Sequence, residues 1–278
     1  MNNMTNEIYP CLWFDGKAKE AAEMYSSIFP NSQIVVDNGM VVMCDINGKK
    51  IMGLNGGPMY KMNPAISMFV HCTETAECER MWKGLSEGSK ILMPLEKYPW
   101  SELYGWIQDK FGFSWQIMKG SKNAMMPSLL FTGDKYGKAA EAMNFYTDLF
   151  TNSSVDTNNY YPEGTPFAGK VSYAEFNLDN YPMVAMDGPD EHEFSFSEGV
   201  SLVVNCRSQE EIDHYWNELT GDGGEESRCG WCKDRYGVSW QIVPANMGEL
   251  LGNPENGQRA MQAMMQMKKI DIAALNNA

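Results

Sequence analysis

The chain repeats itself, and that duplication limits its possible folds more than any other feature of the sequence. "YGWIQDKFGFSWQI" (Tyr104 to Ile117) returns as "CGWCKDRYGVSWQI" (Cys229 to Ile242), so that Trp106 and Trp115 meet Trp231 and Trp240 at a shift of 125 residues. Upstream, "AKEAAEMYSSIF" (Ala18 to Phe29) answers "AAEAMNFYTDLF" (Ala139 to Phe150) at a shift of 121, which pairs Tyr25 with Tyr146. "SMFVHCTETAECERMWKGL" (Ser67 to Leu85) answers "SLVVNCRSQEEIDHYWNEL" (Ser201 to Leu219) at a shift of 134. Blocks in one order with unequal connectors are the mark of two copies of one fold. The clearest insertion is "KILMPLEKYPWSEL" (Lys90 to Leu103), nine residues longer than its counterpart.

Each copy predicts strand, helix and further strands, twice over. The blocks at Ala18 and Ala139 carry apolar or small residues at helical spacing and read as amphipathic helices. Ser208 and Glu211 have the capping-box spacing of a helix start. In the first copy, strands are expected at Tyr9–Phe14, Val35–Asp45, Lys50–Asn55, Ala65–Cys72, Gly105–Asp109 and Phe113–Met118. Met125 to Pro127 mark the seam, which divides the chain into domains at 1–122 and 123–245. A tail at 246–278, with Met261, Met264 and Met265 at helical spacing and a Lys268-Lys269 pair, is expected to pack back on the body.

Composition excludes several partners. Lys and Arg number 22 against 36 Asp and Glu, and a net charge of −14 repels phosphate backbones, so nucleic acid is not expected. No apolar run reaches the ~18 residues of a membrane span, and "MNNMTNEIYPCLWFDG" lacks a basic, apolar leader, so the expected location is cytoplasmic. Seven scattered cysteines suit reduced thiols. "CGWC" (Cys229 to Cys232) has the spelling of a redox dithiol, yet it aligns with Tyr104 to Ile107 of the first copy and runs into a turn rather than a helix. A redox dithiol gains its reactive thiolate at a helix N-terminus, and residues three apart on a strand point to opposite faces, so the motif is read as a strand, Gly230-Trp231, beside the final "SWQI" strand.

"PCLWFDGKAKEAAEMYSSIFPNS", "NPAISMFVHC", "LMPLEKYPWSELYGWIQDKFGFSWQI", the second "SWQIVP" and the terminal "MQMKKIDIAAL" together resemble the PhnB-like branch of the vicinal oxygen chelate superfamily. That superfamily includes glyoxalase I, extradiol dioxygenases and bleomycin-resistance proteins. The resemblance covers both halves and implies an α+β fold of two tandem domains, each of two βαβββ modules around a curved mixed sheet that cups a ligand. It also implies, for the enzymes of the group, a divalent metal held by His, Glu or Gln on the outer strands and a Glu in the last strand.

The ligands for such a metal are not evident. The first strands, "YPCLWFD" and "PSLLFTG", offer no His or Glu, and Gln116 and Gln241 stand where the last-strand Glu belongs. A neutral amide is a poor ligand for a hard cation. His71 faces Asn205 in the other copy, His192 lies in the acidic segment "GPDEHEF", expected as a solvated loop, and His214 lies in a helix, so the three share no role. Glu198, before "VSLVV", is the one carboxylate near a ligand position. No metal ligands are assigned and no cofactor is expected, with a divalent metal left open as the family's chemistry.

The candidate ligand-binding residues are Gln116 and Gln241, with Trp106, Trp231, Trp115 and Trp240. Each glutamine either lines a cavity or satisfies a neighbouring backbone group, and each tryptophan is either core or an aromatic wall. Trp13 has no counterpart. Tyr25 and Tyr146 read as core tyrosines, and Asp109 and Asp234 as turn residues. No Gly-x-Ser-x-Gly elbow, P-loop or zinc spacing occurs. Relatives have been labelled demethylubiquinone methyltransferases, but "LNGGP" (Leu54 to Pro58) lacks the strand–turn–helix context of a nucleotide-type cofactor site.

The leading expectation is a protein that binds, and in one form sequesters, a small aromatic or polar-planar compound. The alternative is a metal-dependent lyase, isomerase or dioxygenase. A third reading makes one copy a scaffold for the other or for self-association. The expected partners are a small-molecule ligand and, where the chain self-associates, a second copy in a homodimer, without nucleic acid or membrane.

Overall fold

The structure is a computed structural model and describes residues 7–189 and 192–278. Its first βαβββ unit comprises β1 (Glu7–Phe14), α1 (Ala18–Ile28), β2 (Gln33–Asp37), β3 (Val41–Ile46) and β4 (Lys49–Asn55). The second comprises β5 (Ile66–Cys72), α2 (Thr75–Leu85), β6 (Lys90–Tyr98), β7 (Ser101–Gln108) and β8 (Ser114–Lys119). The third has β9 (Ala124–Phe131), α3 (Ala139–Leu149), β10 (Ser154–Tyr160), β11 (Val171–Leu178) and β12 (Tyr181–Asp187). In the fourth are β13 (Val200–Cys206), α4 (Gln209–Thr220), β14 (Glu225–Glu226), β15 (Trp231–Lys233) and β16 (Ser239–Pro244).

Three expectations change on contact with this structure. The strand expected at Val35–Asp45 is two strands, because Asn38 Oδ1 accepts from the amides of Met40 and Val41 and Gly39 takes φ +84°, which turns the chain. The insertion at Lys90–Leu103, where no strand is expected, forms β6 and the start of β7 as a hairpin, with register shifts on either side of Pro94 in the edge strand β6. The seam at Met125–Pro127 lies inside β9, where Pro127 pairs with Met68. Pro127 is tolerated there because the parallel ladder to β12 begins one residue later, at Ser128. Pro10 of β1 holds the same place, one residue before its ladder to β4 begins at Cys11.

The four units assemble crosswise. One eight-stranded sheet has the order β14-β15-β16-β13-β1-β4-β3-β2, and the other β10-β11-β12-β9-β5-β8-β7-β6. The first sheet therefore joins units one and four through antiparallel β1 and β13, and the second joins units two and three through β5 and β9. Residues 1–122 and 123–245 each contribute one unit to each sheet.

On the helix-covered faces the pairing reverses, and each half of the sequence holds itself together. Asp109, in the turn between β7 and β8, accepts from the amides of Phe111 and Phe113, from Trp115 Nε1 at 2.9 Å, and from the hydroxyl of Tyr25 on α1 at 2.7 Å. Asp234 repeats the arrangement with Tyr236, Val238, Trp240 and Tyr146. Burial pushes both carboxyls up, and the four donors only partly pull them back. Thus the turn aspartates and core tyrosines of the sequence are partners in one buried network per half. Phe29 stacks on Trp115 and Phe150 on Trp240 around them.

Ser208 caps α4 as its spacing predicts, accepting from the Glu211 amide. The tail forms α5 (Met247–Gly252), α6 (Gly257–Gln266) and α7 (Ile272–Asn276). Between the last two, the carbonyls of Met267 and Lys268 accept from the amides of Cys229 and Gly230, and Ile270 is fully buried. Cys229 and Gly230 take φ values of 57° and 82°, so β15 starts only at Trp231, later than expected. Cys232 is buried within that strand and Cys229 lies outside it in the turn, both thiols free and both pushed up by burial. Of the expected acidic loop, residues 190 and 191 lie outside the described residues. Among the described residues, no helix is long and apolar enough to cross a membrane.

Candidate functional site

Side chains alternate along a strand, so each sheet has one face toward helices and one that is open. Trp115 and Trp240, expected at a cavity wall, sit on the helix-covered faces with no exposure, bound to Asp109 and Asp234. One residue later in β8 and β16, Gln116 and Gln241 point to the open faces. Gln116 accepts from the Tyr104 hydroxyl at 2.6 Å and donates to Ser67 Oγ at 2.8 Å. Gln241 donates to Ser201 Oγ at 2.9 Å. The side-chain partners of both amides bind them across neighbouring strands. Trp106 and Trp231 also face the open sides, so each sheet brings one glutamine and one tryptophan together.

The face of the second sheet opens into a large cavity. In the second sheet a cavity of about 950 Å³ is lined by Phe69, Tyr104, Trp106, Gln116 and Leu130, with Trp100 at its rim. Its far wall comes from β11, β12 and the Tyr160–Pro162 segment. In the first sheet the position of Leu130 is taken by Trp13, whose indole donates to the Gly57 carbonyl at 2.7 Å. That ring meets Trp231 edge-on at 5.9 Å and Tyr60 at 4.9 Å, filling the space that Leu130 leaves free against Trp106. The glycines of "LNGGP" serve this packing, because any side chain at Gly56 would run into the Trp13 ring. The hairpin of β6 and β7 adds Tyr98 and Trp100, stacked at 5.0 Å, beside Tyr104. Phe194 and His192 pack edge-on to Trp106 from the other side.

One edge of the cavity is polar. His71 Nε2 lies 2.9 Å from the Tyr173 hydroxyl, which donates to Glu175 Oε1 at 2.8 Å, while Lys122 binds Glu175 Oε2 at 2.7 Å. Because the single Tyr173 proton goes to Glu175, His71 must donate from Nε2, which leaves Nδ1 as an acceptor. Burial lowers the His71 pKa below 6.5 against the opposing pull of Glu175, so the ring is neutral at pH 7. Burial also works to raise the Glu175 carboxyl, but Lys122 and Tyr173 outweigh it and hold it ionised.

A divalent ion needs three or four convergent charged or imidazole donors. Among the described residues no three His, Cys, Asp or Glu side chains converge in this way. The glutamines at the expected ligand positions are neutral and already bonded, and Glu198 is paired with Lys233 at 2.7 Å. The residues present do not fit the metal of the resemblance.

His71, Tyr173 and Glu175 are absent from the sequence-derived site. His71 is set aside there because Asn205 replaces it in the other copy, but the two sheets differ at this face, with Trp13 in one where Leu130 lines the cavity of the other, so an unmatched residue is the one to expect. Asn205 is instead tied to Tyr9 and Glu7 across its own sheet. The alternation of Tyr173 and Glu175 on one face of β11 is the signal that a reading by strand period could use.

The family model described as 3-demethylubiquinone-9 3-methyltransferase matches this chain twice, over residues 6–118 and 123–243. A Bacillus cereus PhnB protein, provisionally described as a 3-demethylubiquinone-9 3-methyltransferase, is 32% identical over 40% of this chain and 98% of its own, with a TM-score of 0.38. Glyoxalase I from Zea mays aligns with 90% of this chain and 98% of its own at 10% identity, with a TM-score of 0.56, a likeness of fold. No curated protein matches the chain.

Proposed function

The chain belongs to the PhnB-like family that carries the description 3-demethylubiquinone-9 3-methyltransferase, and on that premise we propose that it binds a small planar aromatic molecule in the cavity of its second sheet. The observation that carries this reading is the asymmetry between the sheets. One fold, built twice, is plugged by Trp13 in one place and left open beside Leu130 in the other, with Phe69, Tyr104 and Trp106 as walls. Aromatic walls around a few fixed polar groups are the usual makeup of a small-molecule site. The first sheet then serves as scaffold.

Methyl transfer, the activity in the family description, requires a bound methyl-donor cofactor. The glycine pair after β4 leads into residues without a helix and is used to pack Trp13. That is not the strand–turn–helix cradle of a nucleotide-type cofactor, and we read the description as kinship. Binding without a resident metal is part of the same proposal, since the glutamines at the expected ligand positions are neutral and Glu198 is paired with Lys233.

The decisive test copies the plug. Leu130→Trp should lower affinity for planar aromatic ligands such as 2-methoxynaphthalene by at least about tenfold, one hydrogen-bond equivalent of free energy or more. Titrations by calorimetry, with a thermal melt to verify folding, read the outcome. A folded L130W protein that binds as tightly as the parent refutes the cavity as the site.

A further inference from the structure

Resting on the cavity reading, we infer that His71 Nδ1 is a built hydrogen-bond acceptor and that the molecules this cavity takes are planar aromatics bearing a hydroxyl group. Three observations converge on that atom. The relay from Lys122 through Glu175 and Tyr173 ends at Nε2 and fixes which nitrogen keeps its lone pair. A carboxylate behind the hydroxyl draws the Nε2 proton and makes the opposite nitrogen a stronger acceptor. The space beside Nδ1 is kept by Gly120, also on the cavity wall, where an added Cβ would stand 2.6 Å from the nitrogen.

The surroundings select the donor. Phe69 lies tilted beside the imidazole, with ring centroids 5.0 Å apart, so a flat ring along Phe69 presents a substituent at its edge to the imidazole. Glu175 Oε1 is 3.8 Å from His71 Nε2, which disfavours a carboxylate ligand there, and its own charge is already met by Lys122. A neutral hydroxyl supplies the one thing Nδ1 lacks, a proton to accept. Tyr173 and Glu175 act through His71 and are positioning residues. Asn205 of the first sheet sits in a comparable chain, bonded to Tyr9 and to the Lys50-paired Glu7, but an amide has no ring nitrogen to serve as the acceptor that His71 offers.

Calorimetry at pH 7.5 with 2-naphthol, 2-methoxynaphthalene and 2-naphthylmethylammonium tests the assignment on the full chain. The hydroxyl compound should bind at least about tenfold more tightly than its methyl ether. That preference should vanish in His71→Phe, which keeps a ring in place, and in Gly120→Ala, which leaves His71 and covers Nδ1. Should H71F fail to fold, G120A and the parent ratio still decide. In the parent, ¹⁵N-detected spectra should place the His71 proton on Nε2, and Tyr173→Phe should introduce the other tautomer. Equal affinities for naphthol and its ether overturn the hydroxyl assignment and leave the cavity reading standing. Tightest binding of the ammonium compound overturns it in favour of a cation, and failure of all three compounds to bind overturns both.

Discussion

Replacing Asp109 by alanine should cost this protein more than the loss of any single contact in its surface. The carboxylate accepts from three buried donors, the Phe113 amide at 3.1 Å, Trp115 Nε1 at 2.9 Å and the Tyr25 hydroxyl at 2.7 Å, and from the part-buried Phe111 amide at 2.9 Å. Tyr25 and Trp115 are within the core, 1% and 0% exposed, so bulk water cannot serve them. A buried donor left unsatisfied costs about 1–3 kcal/mol. Three at the low end give about 3 kcal/mol, even if some relaxation offsets the upper range. That is a large part of a typical total of about 5–15 kcal/mol. Tyr25→Phe removes one donor along with its need and should cost about 1–2 kcal/mol. Asp109→Asn should fall between, because its NH₂ must face a Trp115 N–H that needs an acceptor. Urea unfolding followed by tryptophan fluorescence, with a Y25F/D109N double-mutant cycle, reads these values. An Asp109→Ala cost below about 1 kcal/mol, or one equal to that of Y25F, would refute the idea that this carboxylate ties α1 to the β7–β8 turn.

Further outcomes follow from the same structure. Asp234→Ala should match Asp109→Ala within about 1 kcal/mol, since the second network repeats the first donor for donor. Fragments 1–122 and 123–278, expressed apart, should be unfolded or self-associated, and should form a one-to-one complex when mixed, because each lacks the antiparallel partners of β1 and β5 or of β9 and β13. A monomeric, cooperatively folding fragment in size-exclusion chromatography and circular dichroism would contradict the crosswise sheets. Around His71 the charged and titratable neighbours are Glu175 and Tyr173 on β11 and Lys122 before β9. Burial lowers its folded pKa below 6.5, so the unfolded chain takes up the proton first and stability falls as pH drops from 6.5 toward the folded value, with no effect above. His71→Phe should flatten that loss between pH 7 and 5.5 in urea midpoints. Thiol titration of the native protein should find no fast-reacting pair at Cys229 and Cys232, because burial raises both; rapid, pH-independent reaction of either would contradict this.

Much was legible in the order of residues alone. Local signals repeat: helix spacing around Tyr25 and Tyr146, the Asp-x-x-Gly turns at Asp109 and Asp234, the Ser208 cap, and strand alternation that sets Trp115 and Gln116 on opposite faces. These depend on neighbours a few residues away, so a single sequence carries them, and with the family resemblance they determined an α+β chain built from βαβββ units. What the sequence could not carry is pairing at long range. Tandem repeats suggest that each half closes on itself, yet backbone hydrogen bonds are indifferent to which copy supplies a strand, and β1 pairs with β13 while β5 pairs with β9. That crosswise choice then decided the site. Trp13 and Trp231, 218 positions apart in sequence, meet in one cup and plug it, while Leu130 leaves the other open beside Trp106. His71, from the first half, meets Tyr173 and Glu175, from the second, and no spacing within either half foretells that contact. The residues and their faces came from local chemistry; which of them share a cavity followed from packing two halves together, where burial of apolar strands selects the arrangement.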